Sequence, residues 1–209
     1  MAKLLLTSSG FYTESIRNEF NRLLNQEPSK MKAGIITTAS IEHKSNNRFA
    51  VKAKKDFLSM NFGKVDFIDV EFDGSDCLKN YDVIYINGGN PFYLLHYLKK
   101  SGADNKLKEL AEKNVIIVGV SAGSMVLGPN INIANFFTPQ MNTINLKDLS
   151  GLEITDIILF PHYGREDLFL NDLTIEERIL KFEKSFDCKV TRLTDSEAVI
   201  INNNLKKII

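Results

Sequence analysis

The segment Val115-Ile116-Ile117-Val118-Gly119-Val120-Ser121-Ala122-Gly123-Ser124 runs from the most apolar stretch of the chain straight into a cluster of small residues. An uninterrupted apolar, β-branched run without polar alternation is what a parallel strand covered by helices on both faces requires. The small residues after it suit a tight turn into a helix. Gly119-Val120-Ser121-Ala122-Gly123 fits the pattern G-x-S-x-G, in which a serine on a strained strand-to-helix turn exposes its hydroxyl. The N–H groups opening the next helix point at the same spot and favour an anion there. A closely packed turn, or one that binds phosphate, would use the same residues. The position directly after a buried strand is what favours a nucleophile.

Similar runs recur on either side. Leu4–Thr7, Ala33–Thr38, Lys64–Val70, Asp82–Ile86 and Ile157–Phe160 read as further strands. Between them, Thr13–Leu24 carries Ile16, Phe20, Leu23 and Leu24 at helical spacing. Ile41–Asn61 is expected to bury Phe49, Val51, Phe57 and Met60. Pro91–Lys99 and Asn105–Lys113 read as two short helices. Pro129–Leu152 is Asn-rich and irregular, the kind of long connection often found near function. Thr174–Phe186 is a helix with a capping box from Thr174 to Glu177 and apolar positions at Ile179, Leu180 and Phe182. Val190–Ile209 suggests a hairpin with turns at Asp195-Ser196 and Asn202-Asn203-Asn204. Strands alternating with helices imply an α/β three-layer sandwich around a mostly parallel central sheet, flavodoxin-like in general plan. No linker or repeat divides residues 1–209, so one domain is expected.

Composition narrows the function classes. Of 209 residues, 44% are hydrophobic and 25% charged, enough to build a core without staples. Lys plus Arg and Asp plus Glu balance at 26 each, which disfavours nucleic-acid or anionic-membrane partners. The start, Met1 to Ser9, is too short in apolar residues for a signal peptide, and no run approaches a membrane span. Cys77 and Cys188 fit no CxxC or metal-ligand spacing and read as reduced thiols. A cytoplasmic protein without a metal or organic cofactor is the expectation.

Two further segments could complete a site with Ser121. Asn87-Gly88-Gly89-Asn90 closes a strand, and its glycines allow close backbone approach to a ligand outside the carboxyl end of the sheet. Gly89 and Ala122 N–H groups could then form a two-donor oxyanion hole. A simple turn before the helix opened by Pro91 accounts for the same residues. The chain has three histidines. His43 and His96 sit in helical or charged contexts, whereas His162 follows a buried strand in Phe160-Pro161-His162-Tyr163-Gly164. That leaves His162 as the base if Ser121 is a nucleophile. The acid that orients the imidazole could be Asp195 or Glu197.

With GGN, GVSAGS, a strand-end histidine and a late acidic turn in that order, the chain resembles the peptidase E (aspartyl dipeptidase) family, which has the class I glutamine-amidotransferase-like fold. The resemblance spans essentially the whole chain. It implies Ser121 as nucleophile, His162 as base, and Gly88, Gly89 and Asn90 as the family's Gly-Gly-Asn turn, with Gly89 and Ala122 as oxyanion donors. The late acid matches Asp195 in Leu193-Thr194-Asp195-Ser196, while counting from the histidine without a gap favours Glu197. Two positions depart from the Asp-specific enzymes: Phe136 stands where they carry an aspartate, and Ile175 where they carry an arginine. Arg165 is a candidate substitute cation, outside the family position.

These features imply a serine-type peptidase of small peptides, N-terminal Asp dipeptides among the candidates, acting as a monomer or small homo-oligomer. An α/β-hydrolase is excluded because its histidine follows the acid near the C-terminus, and no histidine follows residue 162. A glutamine amidotransferase would carry cysteine at 121 and glutamate at 164, where this chain has Ser121 and Gly164. The alternative from another class is a ligand-binding or regulatory protein that retains the turn without catalysis.

Overall fold

Five parallel strands form the middle and one edge of a seven-stranded sheet. The structure, a computed structural model, describes residues 2–203 and 205–209. In chain order the parallel strands are β1 (Lys3–Thr7), β2 (Lys32–Ile36), β3 (Lys64–Ile68), β4 (Val83–Ile86) and β5 (Ile116–Val120). The order across the sheet is β3-β2-β4-β5-β1-β8-β9. The antiparallel β8 (Ala198–Asn202) and β9 (Leu205–Ile208) extend it beyond β1. The second turn expected in the C-terminal segment includes Asn204, which, like Met1, lies outside the described residues.

The apolar runs mark the strands because both faces are covered. On one face, α1 (Glu14–Leu23) and α2 (Arg48–Ser59) bring Ile16, Phe20, Ala53 and Phe57 against Leu5, Tyr85 and Val118. On the other, α3 (Pro91–Lys100), α4 (Ala103–Glu112) and α5 (Ala122–Val126) pack on Leu4, Ile84 and Ile117. The short α6 (Asn132–Phe137) and α7 (Ile175–Phe186) extend that layer. The three layers match the α/β expectation. Thr174 caps α7 reciprocally with Glu177, which satisfies N–H groups the first turn would leave open.

Four details differ from the sequence reading. Phe57 is buried in α2 as expected and Met60 is partly buried against the same cluster, but Ala50, Ala53 and Asp56 complete the buried face and Phe49 is exposed. In α7, Ile175, Arg178, Ile179 and Phe182 are buried and Leu180 is exposed. The Pro129–Leu152 connection contains α6. Finally, β6 (Ile158–Pro161) and β7 (Val190–Leu193) do not join the main sheet. They pair with each other, in parallel, as a separate two-stranded ribbon. Asp195-Ser196 is therefore a passage from ribbon to sheet rather than a hairpin turn. Among the described residues, no helix is long and apolar enough to cross a membrane.

Candidate active site

Ser121 stands between β5 and α5 with φ 50° and ψ −113°, a conformation that side-chain-bearing residues adopt only under strain. Packing on both sides holds it there. The Ser121 N–H donates to the Thr7 carbonyl at 2.8 Å. A Cβ at Gly123 would collide with the Ile86 carbonyl, and one at Gly119 would lie 2.7 Å from Ser124 Cα. Only glycine lets the helix start this close to the sheet. Ser124 Oγ accepts from Thr7 N–H at 3.0 Å and donates to Thr7 C=O at 2.8 Å, tying the first turn of α5 to the end of β1.

The register of the main sheet brings the glycine turn alongside. Ile86 on β4 pairs with Gly119 on β5, so Gly88 falls level with Ser121, and a Cβ on Gly88 would lie 3.1 Å from the Ser121 Cβ. Gly89 takes φ 144° against Ala39 and lines a cavity with Ser121 and Ala122. Ala122 is the first residue of α5, where a helical N–H has no partner within the helix. Asn90 differs from its expected part in substrate binding. Its Oδ1 accepts from Phe92 and Tyr93 N–H at 3.0 Å each, and its Nδ2 donates to Met141 C=O at 2.7 Å. The side chain caps α3 and fastens the Met141 turn to it.

The ribbon delivers the other two groups. Pro161 on β6 pairs with Leu193 on β7, so His162 and Asp195 follow from adjacent strand ends. His162 has φ 58°, and its N–H donates to Ser8 Oγ at 3.1 Å, which in turn donates to Leu193 C=O at 2.8 Å. The ring spans the two remaining groups: Nε2 lies 3.0 Å from Ser121 Oγ and Nδ1 lies 2.6 Å from Asp195 Oδ1. Asp195 Oδ1 also accepts from Ser9 Oγ at 2.8 Å. Burial alone would raise the Asp195 carboxyl, but hydrogen bonds from His162 and Ser9 and the Arg165 contact outweigh it and hold the group below its ordinary value. An ionised carboxylate only accepts, so Nδ1 carries the proton. Nε2 is then free to accept from Ser121 Oγ–H.

Of the two candidate acids, Asp195 is the one that reaches His162. The Glu197 carboxylate accepts from Thr194 N–H at 2.9 Å and Thr194 Oγ1 at 2.7 Å; it closes the turn that carries Asp195. Arg165 is half-exposed and forks onto Asp167 at 2.8 and 2.7 Å, with its Nη1 donating to Asp195 Oδ2 at 3.2 Å. It is not part of the cavity wall, so an acidic substrate group in the cavity would not meet it. Phe136 and Ile175 also lie outside that wall. Ser8 and Ser9, at the end of β1, were legible only as the close of an apolar run. Their roles depend on a ribbon more than 150 residues away in the chain. Cys77 and Cys188 are free, and burial raises both thiols. Among the described residues, no group of three or more His, Cys, Asp or Glu side chains is placed to hold a metal ion.

Comparison with known proteins places the chain in a family. The model for peptidase family S51 matches residues 4–209. An uncharacterised peptidase of Listeria monocytogenes is 30% identical over 168 residues, covering 78% of this chain and 79% of its own. A peptidase E of Shewanella sp. strain W3-18-1 is 34% identical over 113 residues, 54% of this chain and 46% of its own. The crystal structure of a candidate peptidase E protein from Listeria monocytogenes EGD-e superposes with a TM-score of 0.78 at 24% identity, covering 100% of this chain and 98% of the other. That likeness carries the fold. The family match takes in the serine turn, the glycine turn and the ribbon together, and the chain belongs to peptidase family S51, a family of serine peptidases.

Proposed function

We propose that the protein hydrolyses short peptides through an acyl-enzyme formed on Ser121. His162 Nε2 takes the Ser121 hydroxyl proton as Oγ attacks the scissile carbonyl carbon. The carbonyl oxygen gains negative charge and is held by the Gly89 and Ala122 N–H groups at the end of the sheet. Collapse of the tetrahedral intermediate breaks the C–N bond, and Nε2–H protonates the leaving amine. Water, deprotonated by the same nitrogen, then releases the acid product. Asp195 keeps Nδ1 protonated and stabilises the imidazolium at each transfer. This chemistry needs no metal or organic cofactor.

The observation that carries the reading is the continuous chain from Ser121 Oγ through both nitrogens of His162 to Asp195, at 3.0 and 2.6 Å. The cavity beside it is about 190 Å³, small against the roughly 300–1,000 Å³ of sites for drug-sized ligands, which suits a short substrate. The test is hydrolysis of a panel of free dipeptides by the wild type and by Ser121→Ala. Turnover lost in the variant supports the reading. No turnover by the folded wild type favours a ligand-binding protein that retains the turn.

A further inference from the structure

The cavity next to Ser121 is walled almost entirely by carbon. Phe137, Phe160 and Phe169 form one side, with ring centroids 4.4, 5.1 and 5.8 Å apart. Met125 and Ala134 close the side toward α5 and α6. Apart from Ser121 and His162, the one polar side chain in the wall is Thr138, and its hydroxyl already donates to Ala134 C=O at 3.0 Å. Among the described residues, no charged side chain lines the space.

The buried cation behind the Phe137 and Phe169 side of that wall is committed elsewhere. Arg178 is 7% exposed. Its Nη1 donates to Phe169 C=O and its Nη2 to Phe137 C=O, each at 3.1 Å, and its guanidinium lies 3.9 Å from the Phe137 ring centroid. It therefore fixes the backbone under two of the three rings. Reaching an anion in the cavity would break both bonds and displace the ring that covers it. An ionised side chain entering this space would lose its hydration with no replacement.

A cavity of roughly 150 Å³ holds a benzene ring, so about 190 Å³ holds one aliphatic or aromatic side chain. The wall includes Gly89 and Ala122 as well as Ser121. A carbonyl held by those groups brings its own α-carbon, one bond away, to the mouth of the cavity. We infer that this cavity is the specificity pocket for the residue supplying the attacked carbonyl, and that it selects leucine-, methionine- or phenylalanine-sized apolar side chains over acidic ones. The inference rests on Ser121 being the nucleophile.

The experiment compares the p-nitroanilides of leucine, methionine, phenylalanine, alanine and aspartate, so that the leaving group is constant. Wild type, Ser121→Ala and Ala134→Leu are assayed, with fluorophosphonate labelling of Ser121 reporting an intact site in Ala134→Leu. In a hydrophobic pocket each methylene is worth about 10- to 200-fold, so the preferred apolar substrate should exceed the aspartyl one by at least about 100-fold in kcat/KM. Ala134→Leu should lower the ratio of the larger apolar substrates to alanine by about 10-fold or more. Ser121-dependent hydrolysis that favours aspartate overturns the pocket assignment and leaves the nucleophile standing. Labelling of Ser121 with hydrolysis of none of the anilides also overturns the assignment. Neither labelling nor Ser121-dependent hydrolysis overturns the nucleophile, and the pocket with it.

Discussion

Ser124 Oγ sits between the amide and the carbonyl of Thr7, accepting at 3.0 Å and donating at 2.8 Å across 117 positions of the chain. Both Thr7 and Ser124 are buried, and one hydroxyl thus satisfies a donor and an acceptor where β1 ends. It also anchors the helix that begins one residue after Ser121. Ser124→Ala would take the hydroxyl acceptor from the buried Thr7 N–H and leave the Thr7 carbonyl only its bond from Ser121 N–H, at a cost of about 1–3 kcal/mol. Urea unfolding is expected to show that loss, together with slower fluorophosphonate labelling of Ser121. Unchanged stability would mean that the anchor is dispensable.

Gly123→Ala tests the other side of the same turn. Its Cβ would press on the Ile86 carbonyl of β4, backbone that cannot rotate away. Overpacking of this kind costs about 1–3 kcal/mol, and a shift in α5 would move Ala122 N–H and Ser121 together. The expected result is a lower unfolding midpoint with hydrolysis reduced more than binding, read as a fall in kcat at near-constant KM.

Asp195 and Glu197 should separate cleanly. Asp195→Asn presents an amide that can donate to Nδ1 and reverse the histidine tautomer, a change expected to lower kcat by about 10⁴. Glu197→Ala removes two hydrogen bonds from Thr194 and should lower stability by about 1–2 kcal/mol with kcat within roughly tenfold, since the residue makes no bond to the histidine. Parallel kinetics on the two variants distinguish them. Equal losses would contradict the assignment.

The same acid sets a pH signature. The folded carboxyl of Asp195 lies below its ordinary value, so the unfolded chain binds the proton more readily in acid. Its contribution to stability is therefore complete above the unfolded value of about 3.9 and is lost as pH falls through the lower folded value. The stability difference between wild type and Asp195→Asn should be constant from pH 5 to pH 7, on the order of full ionisation, and shrink below about pH 4. A difference that does not change with pH would show that the charge of Asp195 does not stabilise the fold.

Arg165 tests whether the exposed cation matters. It is 46% exposed and forks onto Asp167, a surface pair of a kind usually worth up to about 1 kcal/mol. Arg165→Ala is expected to change kcat/KM by less than about fivefold and to leave the order of substrate preference intact. A selective loss of acidic substrates would instead place it in substrate recognition.

Much of this arrangement could be read before the structure. The runs VIIVGV and DVIYI are buried on both faces and so carry their strand character locally, and the Thr174–Glu177 cap is a contact between residues three apart. Ser121 was legible because its turn needs small residues at fixed offsets. What escaped depends on partners distant in the chain. The pairing of β7 with β6 rather than β8 is invisible in Asp195-Ser196, since turn chemistry allows a reversal without naming the neighbour. The choice between Asp195 and Glu197 turns on which carboxylate the ribbon aims at His162, and the two are only two residues apart. The cap that Asn90 makes on α3 is a local contact with Phe92 and Tyr93, but its bond to Met141 exists only once the 129–152 connection is in place.

The proposed reaction turns on Ser121 as a nucleophile activated by His162. The most direct test is intact-mass analysis of the folded protein after brief exposure to a fluorophosphonate, on wild type and Ser121→Ala. One adduct is expected on the wild type, mapped to the peptide containing Ser121, and none on the variant. A wild-type protein that stays unmodified while folded, or an adduct that persists in Ser121→Ala, would contradict it.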